Sequence, residues 1–358
     1  IGGSSLSLTA EVDANKVEQA APAVAQLGIS MLADARINSG NDTLKSKYSA
    51  AIAAGLLKSL SDKTSGVDEA VRNSLPGLIT KAAVGALDEA GVSEDGLSDV
   101  VGAVMTESIA NLDEAGYGAD DLSNVARAVT ASGVAALKEC RLPKTKASGA
   151  LKILMKNSVA ALGRTGISAD KFGVVVGPMV QDAIDGLDEY GLESSQVVGV
   201  VDDMMSGTIE AFDDAGFKEN NIVKSTIGTV MSGAVKGMSG SGIKSNHYGD
   251  ALEKAMFGAM SSLSDIGIDT AAELEDISAE MVGKAMAEID QFVGIDAALI
   301  QSASSKMIGG MAQGVAELSK NGNLLVSELA AVNQRIQSKS IEALNTKKEL
   351  YGLKSVDA

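Results

Sequence analysis

The stretch Leu87-Asp88-Glu89-Ala90-Gly91-Val92 decides the reading of this chain, because it returns at a fixed interval. It recurs as Leu112-Asp113-Glu114-Ala115-Gly116-Tyr117, as Leu187-Asp188-Glu189-Tyr190-Gly191-Leu192 and as Phe212-Asp213-Asp214-Ala215-Gly216-Phe217. Weaker copies at 137–142 and 162–167 fill the gap, so six copies follow one another 25 residues apart. The hexapeptide reads as a Schellman helix stop. A Gly at positive φ ends the helix, and the apolar residue after it covers an apolar residue four positions before the Gly. Val92 is expected to cover Leu87, Tyr117 Leu112, Ile167 Leu162, Leu192 Leu187 and Phe217 Phe212.

The segments between stops keep one register. Counted from each stop, position six is Leu97, Leu122, Ala147, Phe172, Val197 and Ile222, and position ten is Val101, Ala126, Leu151, Val176 and Val201. Position thirteen is Val104, Val129, Leu154, Met179 and Met204, and position eighteen is Ile109, Val134, Val159, Ile184 and Ile209. These steps fall on one helical face, so each segment is an amphipathic helix. After Gly216 the stripe slips by one residue, to Ile222, Ile227, Val230, Ala234 and Met238.

Reading outward, residues 1–12 form a leader without structure of its own. Irregular repeats then span 13–91, with helices from an Asp13 cap to about 36 (Pro22 inside), from an Asp42 cap to about 60, and from a Ser65 cap to 90 (Pro76 inside). Regular repeats occupy 92–242 and irregular ones 243–322, with turns near Gly242, Gly267, Gly294 and Gly322. A capping helix at 324–350 carries Arg335, Lys339, Lys347 and Lys348, and a tail follows at 351–358. The whole of 13–350 is one all-α domain of about thirteen helices, joined by short turns into antiparallel hairpins. The expected architecture is an open α-solenoid or superhelix, with a closed α/α toroid as the alternative. The period matches neither ankyrin, tetratricopeptide nor HEAT-type repeats. Gly102, Gly133, Gly177, Gly207, Gly233 and Gly258 interrupt the predicted helices, where each costs about 1 kcal/mol against Ala. Close approach of helix axes explains that cost, and the absence of Trp fits a thin core.

The formal charge is −17, from 47 acidic and 30 basic residues. That balance argues against nucleic acid and anionic membranes and points to a protein partner, a basic one by charge. A single Cys rules out an internal disulfide, and one Cys with one His rules out the usual zinc sites. No run of 18 apolar residues occurs, so no transmembrane span is expected. The chain opens on Ile1 and Gly2-Gly3-Ser4-Ser5, linker chemistry read either as a processed exported protein or as a chain cut at a convenient boundary. The expectation is an extracytoplasmic location, periplasmic, secreted or surface-tethered.

Four acidic pairs are the main site candidates: Asp88 with Glu89, Asp113 with Glu114, Asp188 with Glu189, and Asp213 with Asp214. They lie at helix C-termini, where the macrodipole disfavours anions by roughly 0.3–1 kcal/mol. Together with loop acids (Glu94, Asp95, Asp120, Asp121, Glu193, Glu219) and free carbonyls they are oxygen ligands of the kind calcium uses. The competing reading is solvated turn residues copied along with the repeat, since no EF-hand pattern is present.

His247, near Asp250, has no nucleophile motif beside it and reads as a capping or surface residue. Cys140 occupies a slot that elsewhere holds Ala, Thr or Tyr and reads as an inert thiol. Met204, Met205, Met231, Met238, Met256 and Met260 read first as core filling and second as the lining of a groove for a lipid-like guest. Residues 237–242 are Gly-rich but follow a helix and lack a P-loop Lys, so they are discarded as a phosphate site.

The expected function is that of a non-enzymatic scaffold for a macromolecular partner. A carrier of a hydrophobic small molecule in a Met-lined groove is the first alternative, and calcium-dependent binding through the acidic turns the second. An enzyme ranks below these, because its acids are spread evenly over many turns.

Overall fold

The structure, a computed structural model, describes residues 14–34, 41–61, 68–289, 297–320 and 326–351. Thirteen main helices follow one another: α1 (Ala14–Asp34), α2 (Asp42–Ser61), α3 (Glu69–Gly85), α4 (Leu97–Ala110), α5 (Ala119–Glu139), α6 (Ala147–Leu162) and α7 (Ala169–Asp185), then α8 (Ser194–Asp214), α9 (Asn220–Gly240), α10 (Tyr248–Ser261), α11 (Ala271–Glu288), α12 (Ala297–Lys320) and α13 (Val326–Tyr351). A single helical turn, Leu187–Tyr190, follows α7, and no strand occurs among the described residues. The leader, the Asp13 and Ser65 caps and the turns expected at Gly294 and Gly322 lie outside the described residues. So does the tail, except Tyr351, which ends α13.

Each helix packs mainly against the second one along the chain, so the odd-numbered helices form one layer and the even-numbered helices another. Consecutive helices touch far less, and among the described residues no substantial packing joins α1 or α2 to α12 or α13. The chain is an open all-α solenoid; the closed toroid is not formed. The closest approaches therefore lie within a layer, between stacked helices one hairpin apart, and not between the two arms of a hairpin.

Glycines permit those approaches. A Cβ on Gly177 would lie 2.7 Å from the Thr229 carbonyl oxygen. On Gly207, Gly233 and Gly258 it would fall closer still to the carbonyls of Lys152, Gly177 and Asp202. Gly102 meets the Ile153 and Asn157 side chains of the next helix in its layer. Gly133 differs, since it faces Met105 and Leu154 across the layers and not a helix backbone.

The stops form as the hexapeptide requires. Gly91 N–H donates to Asp88 C=O at 2.9 Å and Val92 N–H to Leu87 C=O at 3.1 Å, with the same double pattern at Gly116 and Gly216. Seven stop glycines have φ between 67° and 86°, and Arg141 holds the same conformation at 55°. The helix proper stops earlier than expected at two sites, at Gly85 and Ala110, so Asp88 and Asp113 sit in turn residues beyond it. A side chain at Gly191 would meet nothing within 4 Å. Gly191→Val should therefore cost about 1 kcal/mol or more through backbone strain alone, while Arg141→Gly should stabilise by about 1 kcal/mol. Urea midpoints of the two variants moving in opposite directions would bear this out; shifts of the same sign would sink it.

The stripe residues at positions ten, thirteen and eighteen of the regular repeats are all fully buried. The slip occurs one residue sooner than the sequence suggested: Val223 is buried, and Ile222 is only half-buried. The α2 cap is also corrected by one residue. Asn41 Oδ1 accepts from Leu44 N–H at 3.1 Å, while the Asp42 carboxylate reaches across to Ser93. α3 is capped by Asp68, which accepts from Ala70 N–H at 2.9 Å. Pro76 lies inside α3 and has no N–H for the Arg72 carbonyl one turn back. The Tyr117 hydroxyl, from the next turn of the stack, donates to that carbonyl at 2.6 Å.

Candidate functional site

Because helices stack two apart, so do the turns. One row contains the stops at Gly91, Arg141, Gly191 and Gly242, and the other those at Gly116, Gly166, Gly216 and Gly267. In the first row the acidic turns at Gly91 and Gly191 flank a basic one. Arg141 lies 3.5 Å from Asp88, and Lys146 lies 2.7 Å from Asp95 and 3.6 Å from Glu94. On the other side Lys138 Nζ donates to the Glu189 carbonyl at 2.8 Å, and Lys144 Nζ donates to the Gly191 carbonyl. The almost fully buried Lys45 donates in the same way to the Gly91 carbonyl. Cations borrowed from the neighbouring repeat therefore offset the unfavourable end of the helix dipole.

Four of the eight acids meet separate partners. Asp88 pairs with Arg141, Glu114 with Lys58 at 2.6 Å, and Asp213 with Lys218. Glu89 accepts a hydrogen bond from Ser30 at 2.7 Å. Asp113, Asp188, Glu189 and Asp214 make no ion pair among the described residues. Nowhere among the described residues do three His, Cys, Asp or Glu side chains converge in a way that could hold a metal ion.

Ion pairs continue along the helix bodies with the same one-hairpin offset. Arg127 binds Asp182 through two hydrogen bonds of 2.7 and 3.0 Å, and its guanidinium is held above its usual range, first by that bonding. Lys152 and Lys156 both reach Glu210, at 2.6 and 3.1 Å. Burial pushes Glu210 up, but the hydrogen bonds from Lys152, Ser206 and Lys156 outweigh it and hold the carboxyl below its usual range. Lys224 with Asp276, Lys236 with Glu288, and Lys306 with Glu253 repeat the pattern. Each such pair contributes at most about 1 kcal/mol at a surface. Together they select the stacking register. Asp185 lacks such a cation, and its pKa is raised by burial and by Asp182, Asp188 and Glu189.

Of the clefts that indent the described surface, four stand out, and three of these open on the even layer. The largest, roughly 600 Å³, crosses α2, α4 and α6, with Ala50, Ala51 and Ala103 as floor and Lys47, Asp99, Glu107 and Arg164 among its polar lining. A second, about 370 Å³, lies at the α6 and α8 ends between Lys156, Glu210, Asp213, Asp214 and Asp265. A third, about 300 Å³, joins Ser195 and Val198 of α8 to His247, Asp250, Glu253 and Lys254 at α10. The odd layer contributes a smaller cleft of about 200 Å³ between α7 and α9, beside the exposed Val174. Charge at single turns drew the sequence reading away from these surfaces.

The third cleft brings Ser, His and Asp together, which the sequence did not foresee. They do not form a relay: His247 Nδ1 is 3.6 Å from Asp250, beyond hydrogen-bond reach, and Asp250 is also paired with Lys306 at 3.2 Å. Ser195 Oγ makes no hydrogen bond among the described residues. Cys140 is buried and donates to Leu137 C=O at 3.3 Å, and burial pushes its pKa up to about 11, opposite to an activated thiol. Met204, Met205, Met231, Met238, Met256 and Met260 are fully buried, line none of these four clefts and fill the core. No helix among the described residues is long and apolar enough to cross a membrane. No family model and no curated protein matches the chain.

Proposed function

We propose that this protein is a non-enzymatic scaffold that binds a macromolecular partner along the outer face of its even-numbered layer. The observation carrying the proposal is that three clefts from three separate repeats open on that one face. A stack whose helices are locked by close glycine contacts and inter-repeat ion pairs presents such a face without the ordering penalty of a flexible surface. The acidic cleft at Asp213, Asp214 and Asp265 suits a basic segment of that partner.

Photo-crosslinking side chains placed singly at Ala103, Ile153 and Val198, on the even layer, and at Val174, on the odd layer, test the reading in cells that make the protein. The first three should trap the same partner and Val174 should not. Equal trapping from Val174, or none from the even layer, would overturn the assignment.

A further inference from the structure

Two of the three even-layer clefts lie on one line. Helices stack one hairpin apart, so equivalent repeat positions follow one another across the layer. The largest cleft includes Arg164, and the acidic one includes Asp214 and Asp265. These three residues hold the same place, two positions before Gly166, Gly216 and Gly267 in successive turns. α6 lines both clefts, with Ile153 and Asn157 in the first and Lys156 in the second. The cleft at His247 lies off this line, near the N-termini of α8 and α10.

The two clefts differ in chemistry. The first is balanced in charge, with Asp99 and Glu107 against Lys47 and Arg164 over small alanines. Asn157 Nδ2 donates to the Ile153 carbonyl at 2.9 Å, and its second N–H has no acceptor among the described residues. The second cleft is acidic. Lys152 and Lys156 hold Glu210, and Lys218 holds Asp213, but Asp214 and Asp265 meet no cation among the described residues. At the same place in the earlier turns the charge is paired, Glu114 with Lys58 and Arg164 with Glu107. Burial first, and then Glu210, raises the pKa of Asp265, so a cation brought to this cleft would relieve it.

Resting on the reading that the even layer binds a partner, we propose that this line is the track for an extended segment of that partner. Small uncharged residues of the segment lie over Ala103, and its Lys or Arg side chains reach Asp214 and Asp265. Helices about 9 Å apart make the path from α4 to the turn after α10 about 27 Å, or about eight residues at about 3.3 Å each. A helix spends its carbonyls on its own hydrogen bonds, whereas an extended segment offers one to the spare N–H of Asn157. The path from Asp99 to Asp265 runs wholly within the uninterrupted described stretch 68–289.

The probe is a fluorescent Ala/Ser peptide of about nine residues with two adjacent Arg at one end, made in both orientations. Fluorescence anisotropy with the full chain should show one orientation binding with Kd below about 100 μM at about 50 mM salt, and several-fold weaker at about 300 mM. Asp214→Asn combined with Asp265→Asn should weaken binding at least about tenfold without lowering the thermal transition, since neither carboxylate holds an ion pair in the fold. Asp188→Asn combined with Glu189→Gln removes the same charge from the other row of turns and should leave binding unchanged. A photo-crosslinking side chain at Ala103 should trap the bound peptide and give no product before the peptide is added. Failure of both orientations to bind would overturn the track. So would equal loss from the Asp188 and Glu189 changes, or a cross-link from Ala103 into the chain itself or a second copy. If the partner trapped in cells from Ala103, Ile153 and Val198 is indifferent to the Asp214 and Asp265 changes, the scaffold stands and the track falls. If the peptide binds as expected but no partner is trapped from the even layer, the track stands and the scaffold falls.

Discussion

Gly233→Ala should be among the most damaging single-methyl additions in this protein, lowering stability by about 3 kcal/mol. The new Cβ would fall on the Gly177 carbonyl of the neighbouring helix, a backbone group that cannot rotate aside. It would do so despite the roughly 1 kcal/mol that Ala gains over Gly in helix propensity. Gly199, also inside a helix, has nothing within 4 Å of where its Cβ would stand. There the propensity term acts alone, so Gly199→Ala should stabilise by about 0.5–1 kcal/mol. Urea denaturation of the two variants isolates the close α7–α9 contact from the general cost of helical glycine. Matching shifts would mean that α7 and α9 do not approach as closely as described.

Tyr117→Phe removes only an oxygen, yet it should cost about 1–3 kcal/mol, the penalty of leaving a buried carbonyl unpaired. Pro76 deprives Arg72 C=O of its helical donor, and Tyr117, 3% exposed, supplies the replacement from the next repeat. In a Pro76→Ala background α3 provides its own N–H, so Tyr117→Phe should then cost less by about 1 kcal/mol. An unchanged cost in the two backgrounds would refute the pairing. Burial, as the largest cause, pushes the Tyr117 hydroxyl up to about 12. Its neutral form is thus favoured in the folded state, and this stabilisation, complete below the ordinary Tyr pKa of about 10, declines between about pH 10 and 12.

The ion pairs explain an otherwise awkward feature of the composition. Acids at helix C-termini are individually unfavourable, and two pairs of them recur 100 residues apart at residues 88–89 and 188–189. With the basic turn of Lys138, Arg141, Lys144 and Lys146 between them, charge alternates up the row. A slip of the stack by one helix would then place like charges together. Register is the job that most of these charges perform.

The all-helical class, the 25-residue period and the stop turns were legible from residues alone, because each depends on local chemistry. Leu87, Gly91 and Val92 are within one turn of one another, and positive φ is a property of the Gly itself. The buried stripe was equally legible, since 3.6-residue periodicity exposes the core face of any helix. Interior glycines announced close approach without saying to what: Gly177 and Gly233 meet 56 residues apart, and Gly133 meets side chains across the layers instead. The neighbours of the acid pairs were hidden for the same reason, because Asp88 and Arg141 are 53 residues apart and no local pattern reveals that one pairs with the other. Stacking two helices apart and the clefts of the even layer arise only when distant repeats come into contact. Tertiary packing alone decided them, because it sets which charges are satisfied and which faces remain open.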